Sequence, residues 1–219
     1  MCEFTTVIER TLTKNGEIQL QKRGRDYEII FNGTFLMATY NGESEKLLVR
    51  SAIEVNPLAK RILIGGLGVG FSLCEALKYD FIEKVIVVEI EPKIIEWYNT
   101  YFSSFMGNAK EDPRVKIINA DLIEWMAKTQ TKYDVICMDI DNGPEWTVLD
   151  RNKSLYSCEG IKQLMRLLDD YGTLSFWSAS KSEQLESQLK AFFNNVAVYP
   201  VSHDSGKPDF VYTASAAKK

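Results

Sequence analysis

Ile62-Leu63-Ile64-Gly65-Gly66-Leu67-Gly68-Val69-Gly70 decides the fold of this chain. An apolar run breaking into glycines reads as a buried strand that turns tightly into a helix, since glycine takes left-handed backbone without steric cost. Outward from it, apolar runs at 61–64, 84–89, 115–119, 133–139 and 172–178 alternate with helical patterns at 71–78, 92–105, 122–128 and 159–169. Pro92 suits a first helical turn, where its missing N–H has no partner to lose. Ser180 with Glu183 reads as a capping box opening a further helix toward Phe193, and strands at 196–201 and 210–213 follow. Runs apolar on both faces, alternating with helices, predict an α/β fold with a mainly parallel sheet covered on both sides. Upstream the texture differs. Ile18, Leu20, Tyr27, Ile29, Phe31, Phe35 and Met37 alternate with polar residues, with turns at Arg25-Asp26 and Asn32-Gly33. They predict an antiparallel appendage of two or three strands, dividing the chain into a small β-hairpin region, 1–50, and a Rossmann-like nucleoside-binding domain, 51–219. A lone hairpin is marginal in water, so it is expected to pack on the main domain or on a second copy of the chain.

The 219 residues, 45% hydrophobic and 26% charged, suit one folded α/β domain with an appendage and exclude a disordered chain. Charges interrupt every apolar stretch before it reaches membrane-spanning length, and Met1-Cys2-Glu3-Phe4 opens no secretory leader, so a cytoplasmic protein is expected. A net charge of -4, with only the short basic cluster Lys22, Arg23 and Arg25, excludes nucleic acid as the main partner. Cys2, Cys74, Cys137 and Cys158 form no C-x-x-C pair and read as thiols. His203, the single histidine, has no zinc-type companions and no G-x-S-x-G nucleophile, so no metal is expected and His203 is assigned no chemistry.

Ligands of such sheets gather at the carboxyl ends of the strands. Gly66, Gly68 and Gly70 let the backbone approach a ligand. Glu89 ends the next strand, where a carboxylate can accept both ribose hydroxyls, and Asp121 follows the third, where an acid can meet the adenine amine. The glycines read G-x-G-x-G, and Phe71 stands where a G-x-G-x-x-G would need glycine. An S-adenosyl-type nucleoside fits better than NAD, with Ile90 and Leu122 beside the two acids. Strand four runs out as Asp139-Ile140-Asp141-Asn142-Gly143-Pro144-Glu145-Trp146, at the same sheet edge. Gly143 and Pro144 fall where a calcium loop needs a ligand and its turn glycine. The remaining readings are a structural Asx turn or a functional acid aimed into the cleft, with Trp146 a lid or part of the core.

The run ILIGGLGVG…VIVVEIEP…DPRVKIINADLIEWM…KYDVICMDIDNGP…LYS resembles the spermidine synthase (polyamine aminopropyltransferase) family, from about residue 16 to 201. The resemblance implies a class I methyltransferase-type sheet with a small N-terminal β region, and homodimers. It also implies that Glu89 holds the ribose, Asp121 the adenine end, and that Asp139 is the catalytic acid. The chain departs from the family where the polyamine half is concerned. Gly68 stands in place of the loop acid that holds the amine of decarboxylated S-adenosylmethionine. Leu36 replaces a glutamine, Glu45 falls near a substrate-site tyrosine, and the Asp-Ser-Ser/Thr-Asp-Pro segment is altered.

These residues imply in-line displacement at a carbon bonded to sulfonium sulfur. Asp139 is the base, with nucleoside contact as well, Asp141 a second catalytic acid, and Asp141, Glu145 and Trp146 contacts for an amine or polyamine-like acceptor. The co-substrate is decarboxylated S-adenosylmethionine or S-adenosylmethionine. The alternatives are a small-molecule methyltransferase, favoured by Gly68, and a nucleoside-binding protein without turnover.

Overall fold

The computed structural model describes residues 4–103, 105–107, 109–203 and 206–218, so Cys2 lies outside the described residues. Two compact units, Met1–Gly42 and Glu43–Lys219, make up the chain. The first is a four-stranded antiparallel sheet of β1 (Thr5–Thr13), β2 (Gly16–Arg23), β3 (Asp26–Phe31) and β4 (Thr34–Ala38), in that order. Asn32 and Gly33 both take positive φ, 46° and 77°, which closes the β3–β4 hairpin as their sequence predicts. Ile18 opposite Phe31 and Leu20 opposite Ile29 set its buried residues. β1 exceeds the expected two or three strands; it is a largely exposed edge strand, so no alternation marks it in the sequence.

The second unit begins with α1 (Glu43–Val55). Then follow β5 (Arg61–Gly65), α2 (Phe71–Leu77), β6 (Lys84–Glu89), α3 (Pro92–Trp97), β7 (Val115–Asn119), α4 (Leu122–Lys128), β8 (Tyr133–Met138), α5 (Cys158–Leu167), β9 (Leu168–Ser178), α6 (Glu183–Phe192), β10 (Phe193–Val201) and β11 (Asp209–Ala217). The strands order as β10-β11-β9-β8-β5-β6-β7. The five from β9 to β7 are parallel, whereas β11 runs against both its neighbours. On one face Leu63, Ile86, Ile136, Leu174 and Phe176 pack against Met126, Ile161, Leu164, Leu185 and Leu189 of α4, α5 and α6. On the other, α1 packs on α2 and crosses β8, β9 and β11.

α1 was not foreseen, and the expected division at 50/51 falls inside it. Leu48, Val49, Ala52 and Ile53 are buried at helical spacing, and each Leu, Val or Ile contributes about 1.5–3 kcal/mol by leaving water. Small polar groups bolt the helix down: Ser175 Oγ donates to the Leu48 carbonyl at 3.0 Å, and the Ser51 and Thr213 hydroxyls lie 2.8 Å apart. Elsewhere two details change. The helix expected over 92–105 becomes a π turn, Tyr98–Phe102, after α3. The N-cap of α6 is Ser182, whose hydroxyl accepts from the Leu185 N–H at 3.2 Å; Ser180 is held in a turn by Ser178 instead. Among the described residues no helix is long and apolar enough to cross a membrane.

Candidate active site

Every predicted site residue except Trp146 and Glu145 stands at or just beyond the carboxyl end of a strand of the large sheet. Gly66, Gly68 and Gly70 all take positive φ. A Cβ on Gly66 would sit 1.9 Å from the Asp139 carbonyl oxygen, and one on Gly70 would sit 2.5 Å from the Tyr98 ring, so both positions exclude a side chain. The loop therefore runs against the end of β8. Its Gly66 N–H donates to the Val88 carbonyl at 2.9 Å, and the Asp139 N–H donates to Gly65 at 2.8 Å, which locks β5, β6 and β8 at one edge.

Glu89 is buried beneath this loop. One carboxylate oxygen accepts from the Leu67 N–H at 2.9 Å and the other from the Glu91 N–H at 2.8 Å. Burial raises its pKa, and these backbone donors oppose the rise. Asn119 ties the neighbouring backbone, donating to the carbonyls of Glu89 (2.9 Å) and Ile90 (3.2 Å). Asp121 caps α4, accepting from the Ile123 N–H at 2.9 Å, while its other oxygen pairs with Arg151 at 2.8 Å. Leu122, the first residue of α4, is buried against the Gly65 backbone.

The Asp-rich loop divides into two behaviours. Asp141 turns inward: it accepts from the Val148 N–H at 2.6 Å and from Asn152 at 2.6 Å, and burial raises its pKa to about 6. It braces residues 141–152 through partners seven and eleven residues on, a longer reach than an Asx turn, and this geometry does not suit the expected pairing with an acceptor ammonium. Glu145, on the exposed side of the loop, accepts from Ser182 Oγ at 2.8 Å. Trp146 is 57% exposed, so it is not a core residue.

Asp139 instead meets residues that no motif announced. Ser72 Oγ, from α2, donates to it at 2.6 Å and lies 3.3 Å from the Glu45 carbonyl. Glu45, in the first turn of α1, is only 5% exposed. Burial first, and the nearby Asp139 carboxylate second, raise its pKa to about 8. Asp139 is raised to about 6 by burial and by Asp209, against the pull of Ser72. Asp209 Oδ2 lies 2.8 Å from Ser44 Oγ, which also lies 2.8 Å from Glu45 Oε2, and His203 Nε2 lies 2.6 Å from Asp209 Oδ2. Among the described residues no lysine or arginine pairs with Glu45, Asp139 or Asp209, and no group of three His, Cys, Asp or Glu side chains is placed to hold a metal ion. A site of this kind suits an organic cation, which would supply the missing positive charge and hydrogen-bond donors. Sequence reasoning gave Asp209 no role and His203 no chemistry, and reached Glu45 only through the resemblance, because the three come from segments that only the fold brings together.

The family profile "Spermine/spermidine synthase domain" matches residues 43–199. The polyamine aminopropyltransferase of Pyrobaculum calidifontis is 29% identical over 188 residues, spanning 80% of this chain and 64% of that protein. That of Thermococcus onnurineus is 34% identical over 131 residues, 59% of this chain and 46% of that protein. The chain thus spans less than two thirds of the length of these curated relatives. Among solved structures, a spermidine synthase in complex with the transition state analogue AdoDATO superposes with a TM-score of 0.81 at 22% identity, covering 95% of this chain and 73% of that one. The spermidine synthase from Thermotoga maritima gives 0.78 at 22% identity, over 95% and 72% of the two chains.

Proposed function

This chain belongs to the spermine/spermidine synthase domain family, and we propose that it transfers the aminopropyl group of decarboxylated S-adenosylmethionine to a small amine. The observation that carries this is that Glu45, Asp139 and Asp209 face one another beside the glycine loop without a lysine or arginine partner among the described residues. The ionised acids of this cluster attract an ammonium substrate and repel the carboxylate of intact S-adenosylmethionine, which counts against the methyltransferase reading. Gly68 removes an acid from the loop, and Glu45 returns one from α1.

In this reading Glu89 holds the ribose with its remaining lone pairs, and Asp121 holds the adenine amine once Arg151 yields its place. Acceptor amines are ammonium ions at neutral pH and are not nucleophiles. Asp139 positions the reacting nitrogen, whose proton leaves to Asp139 or to Glu45 beside it, while Glu45 and Asp209 take over the roles expected of Asp141 and Glu145. The nitrogen lone pair forms the new C–N bond, the C–S bond breaks, and its electron pair neutralises the sulfonium as a thioether. Alignment of nitrogen, carbon and sulfur supplies much of the rate.

The described cysteines, Cys74, Cys137 and Cys158, are unpaired thiols, which supports a reducing, cytoplasmic setting. A homodimer belongs to the same reading, supported by the exposed Val7, Ile8 and Leu12 of β1; sedimentation tests it. The decisive experiment incubates the protein with a panel of diamines and polyamines and either donor, and reads the products by mass spectrometry. An aminopropylated amine from the decarboxylated donor is expected. A methylated product from the intact donor overturns the assignment, and tight nucleoside binding without product from either donor favours the non-catalytic alternative.

A further inference from the structure

We propose that Glu45, Ser44, Asp209 and His203 form a proton exit from the acceptor site to solvent. The exit rests on the transfer reading above for the proton that loads it: an ammonium acceptor sheds one proton as its nitrogen bonds to carbon. Asp139 can take that proton, but its hydrogen-bond donor, Ser72, leads only to the Glu45 backbone carbonyl. Glu45 offers a continuous route.

The geometry itself calls for a proton in this chain. Ser44 Oγ is fully buried and lies 2.8 Å from a carboxylate oxygen on either side, Glu45 Oε2 and Asp209 Oδ2. A hydroxyl has one hydrogen and donates it once, so the second contact is a hydrogen bond only when one of the two acids is protonated. The acid with the raised pKa is Glu45, which faces Asp139 from β8 and Asp209 from β11, with burial and both charges favouring its neutral form. The neighbouring Lys46 pairs with Glu43. Glu45 O–H then donates to Ser44, and Ser44 O–H donates to Asp209. Asp209 in turn meets the one histidine of the chain at 2.6 Å, and the imidazole is 18% exposed.

The transfer balances in single protons. The ammonium hands a proton to a Glu45 carboxylate. Glu45 passes it to Ser44 Oγ as Ser44 gives its own hydrogen to Asp209. Asp209 passes the proton to His203 at Nε2, and the ring releases one to water. No electron is moved and no further reactant is needed. His203 lies in the connection after β10 and Asp209 opens the antiparallel β11, and the half-buried imidazole reaches solvent.

His203→Ala in dilute, non-nucleophilic buffer is expected to lower kcat by roughly 10–100-fold with both KM values within about twofold. Millimolar imidazole should restore it, because a small base can reach Asp209 through the vacated space. Ser44→Ala should fall similarly but resist rescue, since the break lies inside. Unchanged kcat for His203→Ala in dilute buffer, or a raised acceptor KM with kcat intact, overturns the exit. A readout that needs no turnover uses the single imidazole signal in NMR. Glu45→Gln should move the His203 titration midpoint by about 0.3 pH units or more, and Ser44→Ala should abolish that response. A response that survives Ser44→Ala is charge acting through space and also overturns the exit. Absence of product in wild-type protein counts against the transfer reading, whereas the NMR cycle decides the hydrogen-bonded chain separately.

Discussion

Glu89 and Asp139 both stand at strand ends of one sheet, a few residues from the same glycine loop, yet their surroundings are built on opposite plans. Around Glu89 the protein supplies the donors itself. Two backbone N–H groups hold its oxygens, and Asp121 next door is divided between a helix cap and Arg151. Around Asp139 three carboxylates share the hydroxyls of Ser44 and Ser72 and a single imidazole. On the Glu89 side the protein's own donors meet each acid before any ligand arrives, whereas on the Asp139 side no lysine or arginine among the described residues pairs with the acids. The first plan yields a rigid cradle. The second makes a site whose charges are settled by what binds there, and by protons until something does.

The strongest way to break this contrast is Asp139→Asn. Turnover should fall about 10³-fold in steady-state assays while calorimetric donor affinity changes by less than about threefold. Equal losses in both would mean that the two sides are one site. Gly66→Ala attacks the seam between them, because its new methyl would overlap the Asp139 carbonyl. It should weaken nucleoside binding by about 100-fold and lower the thermal midpoint by the equivalent of about 3 kcal/mol.

Glu45→Gln sharpens the acceptor side alone: acceptor KM should rise about tenfold with donor affinity unchanged. Its stability effect has a definite sign. A folded-state pKa of about 8, raised from about 4.5, favours folding fully below the unfolded value, and that contribution is lost as pH climbs through the folded one. Glutamine keeps it, so the variant should gain on wild type between pH 5 and 8, by about 2 kcal/mol or roughly 4–8 °C. For the same reason wild-type kcat/KM for the amine should rise across pH 6 to 8, as Asp139 and then Glu45 ionise. The smallest effect belongs to Arg151→Ala. Its pair with Asp121 is 44% exposed on the arginine side, so removing it should tighten nucleoside binding only about two- to threefold.

The contrast also explains what could be read before folding. The nucleoside side lies in short contiguous runs, glycines after β5 and acids after β6 and β7, and strand–helix alternation places each run at the sheet edge. The placement of Glu89, Asp121 and Asp139 at strand ends was therefore legible, as was the two-faced sheet. Glu45 looks like one more charge in an ordinary helix, Asp209 like a strand-opening acid, and His203 like a loop residue. Nothing local says that α1 starts where β8 ends. Asp141 shows the converse: a motif position marks where an acid is, but only the turn of the loop decides whether it faces the cleft or its own backbone. α1 was the readable element that was passed over, for Leu48, Val49, Ala52 and Ile53 carry a helical period.

The reversed direction of β11 has a consequence for how such a protein could diversify. A strand that runs against its neighbours begins where they end, so Asp209 arrives at the working edge as an opening residue, carried by the connection from Val201 rather than by the scaffold of glycines and acids. Glu89 takes its hydrogen bonds from Leu67 and Glu91, on other segments, so the connection can be rewritten around them. On the proposed reading, donor choice and acceptor choice are thereby written on separate stretches of chain. A lineage, or an engineer grafting the stretch between β10 and β11, can change the clientele of the site while leaving its nucleoside trade untouched.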